Sequence, residues 1–126
     1  MADRRHDGQA VLGEQLGIAP EDVPAHMTGQ FGARFAEAAI EAAGGAWAED
    51  SPLSRVERSL LVLGALVSLG GVEPRLRAHV RLAVRNGIAP DRIEAAVAFL
   101  APYAGYPSAS VAIEIVRDEL SRSELR

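Results

Sequence analysis

The sequence contains no cysteine, and its 13 lysine-plus-arginine positions are all arginine, so lysine is absent as well. Without cysteine, the chain has no thiol nucleophile, no redox-active Cys-x-x-Cys pair and no disulfide. Without lysine, it has neither the amine that forms Schiff bases nor the cation of a phosphate-binding P-loop. A zinc site would have to draw on three histidines and on carboxylates, which disfavours a zinc ribbon or finger, and we expect no metal site.

The chain also lacks a basic excess and a long apolar run. Its formal net charge is −4, which argues against nonspecific binding to nucleic acid or to anionic membranes. The longest apolar run, residues 59–69, falls well short of the roughly 20 residues that span a bilayer. The first ten residues hold no apolar signal-peptide core, so the expected location is the cytoplasm.

What the sequence does contain is alanine and clear helix boundaries. Apolar residues make up 48% of the chain although aromatics supply only 5%, and alanine is the best helix former. The apolar run follows Ser54 and Glu57, which have the spacing of a capping box, and it ends at Gly70-Gly71. This pattern predicts a central core helix. No stretch alternates with a period of two for long enough to be a strand, so we expect an all-α fold.

Proline and glycine divide the rest of the chain into further helices. We expect about six helices in all, over residues 3–16, 30–43, 55–69, 74–86, 90–102 and 108–121. The second of these is expected to be anchored by Phe31 and Phe35 and to end at Gly44-Gly45. The length of 126 residues fits one domain.

Within that single domain, residues 1–126, the two parts of the chain differ in character. The sequence pattern predicts that residues 1–52 form a more irregular N-terminal part and that residues 53–122 form a compact helical core. Alanine-rich helices with few aromatics also indicate that each chain gains part of its burial from neighbouring copies, so we expect a homo-oligomer.

His79 is a candidate for acid–base chemistry. It lies on the helix predicted to begin near Pro74, at the margin between the buried stripe and the polar surface. A histidine in that position can titrate near neutrality and still reach a ligand. The alternative is a half-buried histidine bonded to a nearby carbonyl, and the helical position alone favours this alternative.

Arginines are the only permanently charged anchors for a carboxylate substrate. Arg77, Arg81 and Arg85 stand at i, i+4 and i+8 on the same helix and form what we call the arginine row. Pairing with Glu73, or with carboxylates of another helix or subunit, is the favoured interpretation; capture of a substrate carboxylate is the other. Arg58 lies at the start of the most apolar helix. A charge in that position is costly unless it has an interaction partner or a functional role.

Trp47, Tyr103 and Tyr106 combine an apolar body with a polar tip, and all three lie in segments rich in glycine and proline. Binding residues often collect in such segments, which makes the three side chains candidates for contact with a substrate. Burial in a subunit interface would explain them equally well.

Three blocks of sequence resemble the γ-carboxymuconolactone decarboxylase family. They are Leu53-Ser-Arg-Val-Glu-Arg-Ser-Leu-Leu-Val-Leu-Gly-Ala-Leu-Val, Leu76-Arg-Ala-His-Val-Arg-Leu-Ala-Val-Arg-Asn-Gly and Tyr103-Ala-Gly-Tyr-Pro. The order and spacing of these blocks match over residues 53–120, and a weaker match extends into the N-terminal third. The resemblance implies an all-α, alkylhydroperoxidase-like bundle that forms a ring-like homo-oligomer, a trimer or a hexamer. It also implies loss of CO₂ from a carboxylated unsaturated lactone without a cofactor.

The wider superfamily includes peroxidases whose chemistry depends on a Cys-x-x-Cys-x-x-x-His motif. Here the two cysteine positions hold Val72 and Arg75, whereas the histidine remains as His79. Peroxidase chemistry of that kind is therefore excluded. In the decarboxylation that the resemblance implies, Arg58 or the arginine row would hold a carboxylate or an oxyanion and His79 would donate a proton. Arg75 and Tyr103 are expected to contact the substrate.

Two departures from the family pattern bear on the substrate. The family's Trp-Gly-Glu aligns with Gly44-Gly45-Ala46, although Trp47 and Glu49 lie close by, and Glu49 is the nearest replacement for the lost glutamate. The family's Asn-x-Ala-Phe-Arg appears as Ser110-Val-Ala-Ile-Glu114, which exchanges an arginine for a glutamate. The first hypothesis is a decarboxylase-type lyase. The alternatives are a relative that decarboxylates, dehydrates or cyclises a biosynthetic intermediate, and a noncatalytic oligomer that binds a ligand.

Overall fold

The computed structural model describes residues 3–124, and these residues form seven α-helices with no strand. In chain order the helices are α1 Arg4–Leu16, α2 Val23–Phe31, α3 Ala33–Ala46, α4 Arg55–Leu69, α5 Glu73–Arg85, α6 Pro90–Ala104 and α7 Tyr106–Glu124. The all-α prediction is confirmed, with one helix more than expected. Contacts divide the chain between Pro52 and Leu53 into an N-terminal unit with α1–α3 and a C-terminal unit with α4–α7.

The N-terminal unit, expected to be the more irregular part, contains three α-helices and one short 3-10 helix, Pro20–Asp22. The sequence predicted one helix over residues 30–43, but Gly32, with a φ of 83°, separates α2 from α3. The pair Gly44-Gly45, expected to end that helix, lies inside α3. The helix therefore runs on to Ala46 before Trp47 caps it.

Small residues rather than aromatics pack the N-terminal unit. Its buried cluster consists of Val23, Met27, Ala36 and Ile40. The rings of Phe31 and Phe35 contact each other at a tilt, with centroids 5.1 Å apart. Phe35 is 60% exposed, however, so the prediction that the two side chains anchor the helix is wrong. The close contact is instead made by glycine, because a Cβ at Gly8 would overlap the backbone carbonyl of Ile40.

In the C-terminal unit, α4 begins as the sequence predicted. The Glu57 backbone N–H donates to Ser54 Oγ at 3.0 Å, and the Ser54 N–H donates to Glu57 Oε1 at 2.8 Å. This reciprocal pair satisfies two otherwise orphaned donors of the first turn. The same hydrogen bonds lower the pKa of the Glu57 carboxyl group. The helix ends at Leu69 with Gly70 as its C-cap, and Gly70 and Gly71 both have a φ of 67°.

Each of the four helices of the C-terminal unit contributes to one apolar core. The buried side chains of that core include Leu63 and Val67 from α4, Leu76 and Val80 from α5, Ile93 and Val97 from α6, and Val116 and Leu120 from α7. Burial of this kind contributes about 1.5–3 kcal/mol for each large side chain. The apolar stripes that the sequence predicted therefore meet at one place.

Helix α6 passes through Pro102 and ends only at Ala104, two residues later than predicted. A proline this near the C-terminal end removes one backbone hydrogen bond and leaves the earlier turns intact. As a result Tyr103 lies in the last turn of α6, and Tyr106 is the first residue of α7. Neither tyrosine lies in an open turn. None of the helices within residues 3–124 combines the length and the hydropathy that a membrane span requires.

Replacing Gly8 with alanine is expected to destabilise the N-terminal unit by about 1–3 kcal/mol, because the added methyl group meets the Ile40 backbone rather than a flexible side chain. Urea unfolding followed by circular dichroism measures the change. The matched control is Gly29→Ala in α2, where a Cβ meets nothing within 4 Å. That substitution is expected to stabilise the chain by up to about 1 kcal/mol. Equal effects at the two glycines would contradict the close α1–α3 contact.

Candidate functional site

Helix α5 presents three different surfaces. Its apolar stripe lies in the core, the arginine row lies on one flank, and Arg75 and His79 lie on the other flank at i and i+4. His79 is half-buried. Burial lowers the pKa of its imidazole, and the positive charge of Arg75 lowers that pKa further. The imidazole is therefore mainly neutral at pH 7 and offers one hydrogen-bond donor and one acceptor.

Two arginines of the arginine row, Arg77 and Arg81, form ion pairs with carboxylates of α7. Arg77 Nη1 lies 2.7 Å from Asp118 Oδ2 and 3.4 Å from Glu119 Oε1, and its Nη2 lies 3.8 Å from Glu73 Oε1. Arg81 Nη1 lies 3.2 Å from the same Glu119 oxygen. Hydrogen bonds from Arg77 lower the pKa of the Asp118 carboxyl group. The favoured interpretation, that the arginines pair with carboxylates of another helix, is therefore confirmed for Arg77 and Arg81.

Glu119 is the buried member of this ionic cluster. Its side chain is only 4% exposed, against 24% for Arg77 and 37% for Arg81. A carboxylate that is removed from water needs such partners, because an unpaired buried charge is costly. The cluster therefore joins α5 to α7 and leaves Arg77 and Arg81 poorly suited to capture a substrate.

A second polar network joins the start of α4 to the end of α5. The Asn86 Nδ2 amide donates to Ser59 Oγ at 2.9 Å, and Arg55 Nη1 donates to Asn86 Oδ1 at 3.3 Å. Ser59 is buried, so its hydroxyl depends on this partner. Since the Gly70-Gly71 turn joins the other ends of the two helices, the pair α4–α5 is connected at both ends.

Arg58 precedes Ser59 in the first turns of α4 and is itself buried, with 9% of its surface exposed. Its Nε donates to the Ser54 carbonyl at 3.4 Å. The Arg58 side chain thus has a hydrogen-bond partner in the preceding turn, and its role in binding a substrate stays a prediction. His79 lies seven residues before Asn86 on α5, which is about 10 Å along the helix axis. Both candidate residues thus belong to the α4–α5 pair.

A cavity of about 600 Å³ lies where α4 ends and where α5 and α7 begin. Its lining is mostly apolar and consists of Leu66, Val67, Gly70, Gly71, Val72, Glu73, Pro74, Leu76, Pro107, Ser108, Val111, Ala112 and Ile115. None of the seven site residues predicted from the sequence is in this set. Sequence reasoning missed the cavity because its walls come from three helices and carry almost no reactive group. The only signals were the Gly70-Gly71 turn and Pro107, which were interpreted as helix boundaries.

The remaining predicted site residues are distributed between the two units. Trp47 is buried at the end of α3, and Glu49 is exposed in the segment that follows, so both belong to the N-terminal unit. Tyr103 and Tyr106 are 79% and 70% exposed. The structure brings Arg75 together with His79, and neither Tyr103 nor Tyr106 lines the cavity of about 600 Å³. Within residues 3–124, no group of three or more His, Cys, Asp or Glu side chains has the geometry of a metal site.

Substitution Arg75→Gln is expected to raise the pKa of His79 towards its ordinary value, because it removes the positive charge that opposes protonation of the imidazole. The rise should be partial, since burial is the larger cause of the lowered pKa. Titration of the His79 ring protons by NMR measures it directly. Arg92→Gln, an exposed arginine on α6, is the matched control and should leave the titration unchanged. An unchanged midpoint in Arg75→Gln would show that the two side chains do not interact.

Substitution Glu119→Gln is expected to lower the free energy of unfolding by about 2–4 kcal/mol, because Arg77 and Arg81 lose a buried counter-charge. The matched control is Glu94→Gln, whose partner Arg117 is 71% exposed at the side chain, and it should cost less than about 1 kcal/mol. Denaturant titrations of the three proteins give the comparison. Similar values for the two variants would mean that Glu119 does not hold α5 against α7.

Comparison with known proteins identifies the family. The model of the Carboxymuconolactone decarboxylase family matches residues 33–118. The 4-carboxymuconolactone decarboxylase of Acinetobacter baylyi is 32% identical over 66 residues, which are 52% of this chain and 48% of that protein. The match thus spans about half the length of the relative. No solved structure matches the chain. Because the family model covers well over half of the sequence, the chain belongs to the Carboxymuconolactone decarboxylase family.

Proposed function

We propose that the protein is a decarboxylase-type lyase, which releases CO₂ from a small unsaturated lactone or carbonyl compound carrying a carboxylate, without a cofactor. Membership of the Carboxymuconolactone decarboxylase family and the similarity to a 4-carboxymuconolactone decarboxylase support this activity. The structural observation that carries it is His79, a half-buried imidazole on the same flank of α5 as Arg75. A titratable group beside a permanent cation suits a substrate that is an anion and must gain a proton.

The proposed reaction sets two requirements. When CO₂ departs, the electron pair of the broken C–C bond delocalises onto the carbonyl oxygen, and an enolate-like anion forms. A cationic or hydrogen-bonding group near that oxygen lowers the barrier. A proton must then reach the carbanion, so that one proton is consumed for each CO₂ released.

In this proposal His79 supplies the proton as imidazolium and regains one from solvent. Its lowered pKa keeps it mainly neutral in the free protein. A substrate carboxylate beside Arg75 would offset the charge that opposes protonation, so binding itself would favour the imidazolium form. Arg58, a buried guanidinium on α4, is proposed to hold the carboxylate or the developing oxyanion.

The other predicted site residues have supporting roles in the proposal. Arg75 is proposed to hold the substrate carboxylate because it lies on the same flank of α5 as His79. Trp47 is proposed to contact the substrate, and Glu49 is proposed as the replacement for the family glutamate. Tyr103 and Tyr106 are exposed on the single chain, and they are proposed to contact a substrate held at a subunit boundary.

We further propose that the chain forms a homo-oligomer, a ring-like trimer or hexamer. The C-terminal unit leaves several large apolar side chains exposed, including Leu61 at 62% and Leu69 at 72%. Exposure of this kind is unusual for an isolated soluble domain when the side chains are contiguous. Family membership is the second support.

The test of the activity is CO₂ release from γ-carboxymuconolactone by the wild-type protein and by His79→Gln. Loss of a general acid is expected to lower kcat by about 100-fold or more. The matched control is His26→Gln, an exposed histidine of the N-terminal unit, which should retain the wild-type rate. Because protonated His79 is the required form, kcat/KM of the wild type should rise as the pH falls through the His79 pKa, which burial and Arg75 lower from its ordinary value.

Two outcomes would contradict the proposal at different points. Absence of turnover by the wild-type protein would reject this lactone as the substrate. Turnover that persists at the full rate in His79→Gln would reject the role of His79 even though the activity is real. A kcat/KM that falls as the pH is lowered would mean that the neutral imidazole is the reacting form.

A further inference from the structure

Two long segments of the C-terminal unit carry no charged side chain and no histidine. They are residues 59–72, which include most of α4, and residues 95–113, which include the later part of α6 and the start of α7. Charged residues make up 24% of the whole chain. Solvent-facing positions of surface helices are normally where such residues collect. Their absence from these segments therefore calls for a physical reason.

The same two segments supply most of the exposed large apolar side chains of the C-terminal unit. These are Leu61 at 62%, Leu69 at 72%, Phe99 at 68%, Tyr103 at 79%, Tyr106 at 70% and Val111 at 60% exposure. We call these six side chains the charge-free surface. Outside the two segments, the exposed large apolar residues of this unit are Leu53 and Val84, at 41% and 37%.

Close packing of α4 against α6 makes this surface continuous. A Cβ placed at Gly64 would lie 3.7 Å from Leu100 Cδ2, so the two helices meet at these residues. Leu61 lies one turn from Gly64 on α4, and Phe99 is next to Leu100 on α6. The Phe99 ring packs against the Tyr103 ring in a tilted arrangement, with centroids 5.5 Å apart. The exposed apolar rows of both helices therefore adjoin.

The cavity at the end of the unit extends the surface towards α7. Gly70, which follows Leu69, lines the cavity, and so does Val111. Pro107, the residue after Tyr106, lines it as well. The charge-free surface thus runs from the outer side of α4 and α6 to the rim of the cavity.

We propose that a second copy of this chain covers the charge-free surface. This inference rests on the homo-oligomer of the proposed function and names the surface through which the copies associate. Each copy carries a formal net charge of −4, so two copies repel each other least where neither presents a charge. A surface without charges also meets its own copy with no conflict of like charges, as a symmetric interface requires.

The size and the composition of the surface fit the same partner. An aromatic side chain removes about 150–250 Å² from water when it is covered. Six large apolar side chains with these exposures offer an area on the order of the 800 Å² that each partner contributes to a standard interface. Tyrosine and phenylalanine are also enriched in interfaces. An anionic membrane is a poor alternative because the surface holds no cation to attract it.

The experiment is sedimentation velocity of the full chain at micromolar concentration, with the wild type compared with Phe99→Arg. We expect the wild type to sediment with at least twice the 13.3 kDa mass of one chain. Phe99→Arg places a charge on the surface at an exposed position, and it should weaken association at least tenfold without altering the helical circular dichroism. Leu61→Arg, on α4, should act in the same direction.

The matched control is Phe35→Arg, an equally exposed phenylalanine of the N-terminal unit, at 60%. It should retain the wild-type mass. If the wild type is an oligomer and neither Phe99→Arg nor Leu61→Arg weakens it, the proposed surface is wrong and the oligomer stands. If the wild type is monomeric, both the oligomer and the surface are wrong, and binding to phosphatidylcholine vesicles would then show that lipid covers the surface. CO₂ release does not enter this comparison, so failure of the decarboxylase activity would leave its result unaffected.

Discussion

The rotation of α5 about its own axis is set by a buried carboxylate. Glu119 of α7 accepts a hydrogen bond from Arg77 and forms an ion pair with Arg81, and its burial makes the loss of either contact expensive. With that flank held against α7 and the apolar stripe in the core, the remaining flank of α5 carries Arg75 and His79. The half-buried state of His79, and hence its lowered pKa, follows from this setting of the helix. An ionic contact on one side of a helix thus determines the chemistry available on the other side.

Local signals in the sequence predicted the helices that have strong boundaries. The capping box of Ser54 and Glu57 and the Gly70-Gly71 pair located α4 correctly, because these groups act within one turn of the helix. Gly44 was misinterpreted for a physical reason: its lack of a side chain permits contact with the backbone of Arg4, forty residues away, and does not end a helix. Pro102 was also given too much weight, since near a helix end it costs only one hydrogen bond.

The candidate site shows the same division between local and long-range information. The spacing of the arginines predicted ion pairs, but no pattern in the sequence could name Glu119 and Asp118 as the partners. The place of His79 on one helix made it a candidate but favoured a structural role, and only the family resemblance pointed to chemistry. The cavity was missed because it exists only where three helices meet. The exposure of Tyr103 and Tyr106 is long-range information of the same kind. Both side chains face outward, and only the assembled fold shows that.

The network around Asn86 also affects the chemical lifetime of the chain. Asn86 precedes Gly87, and this is the context in which an asparagine side chain most readily cyclises onto the next backbone nitrogen and becomes aspartate. In the folded chain the Gly87 N–H donates to the Val84 carbonyl at 3.0 Å, and the Asn86 side chain is held by Ser59 and Arg55. Both restraints oppose cyclisation. The hydrogen bonds that join α4 to α5 therefore also protect the sole asparagine of the sequence from slow deamidation.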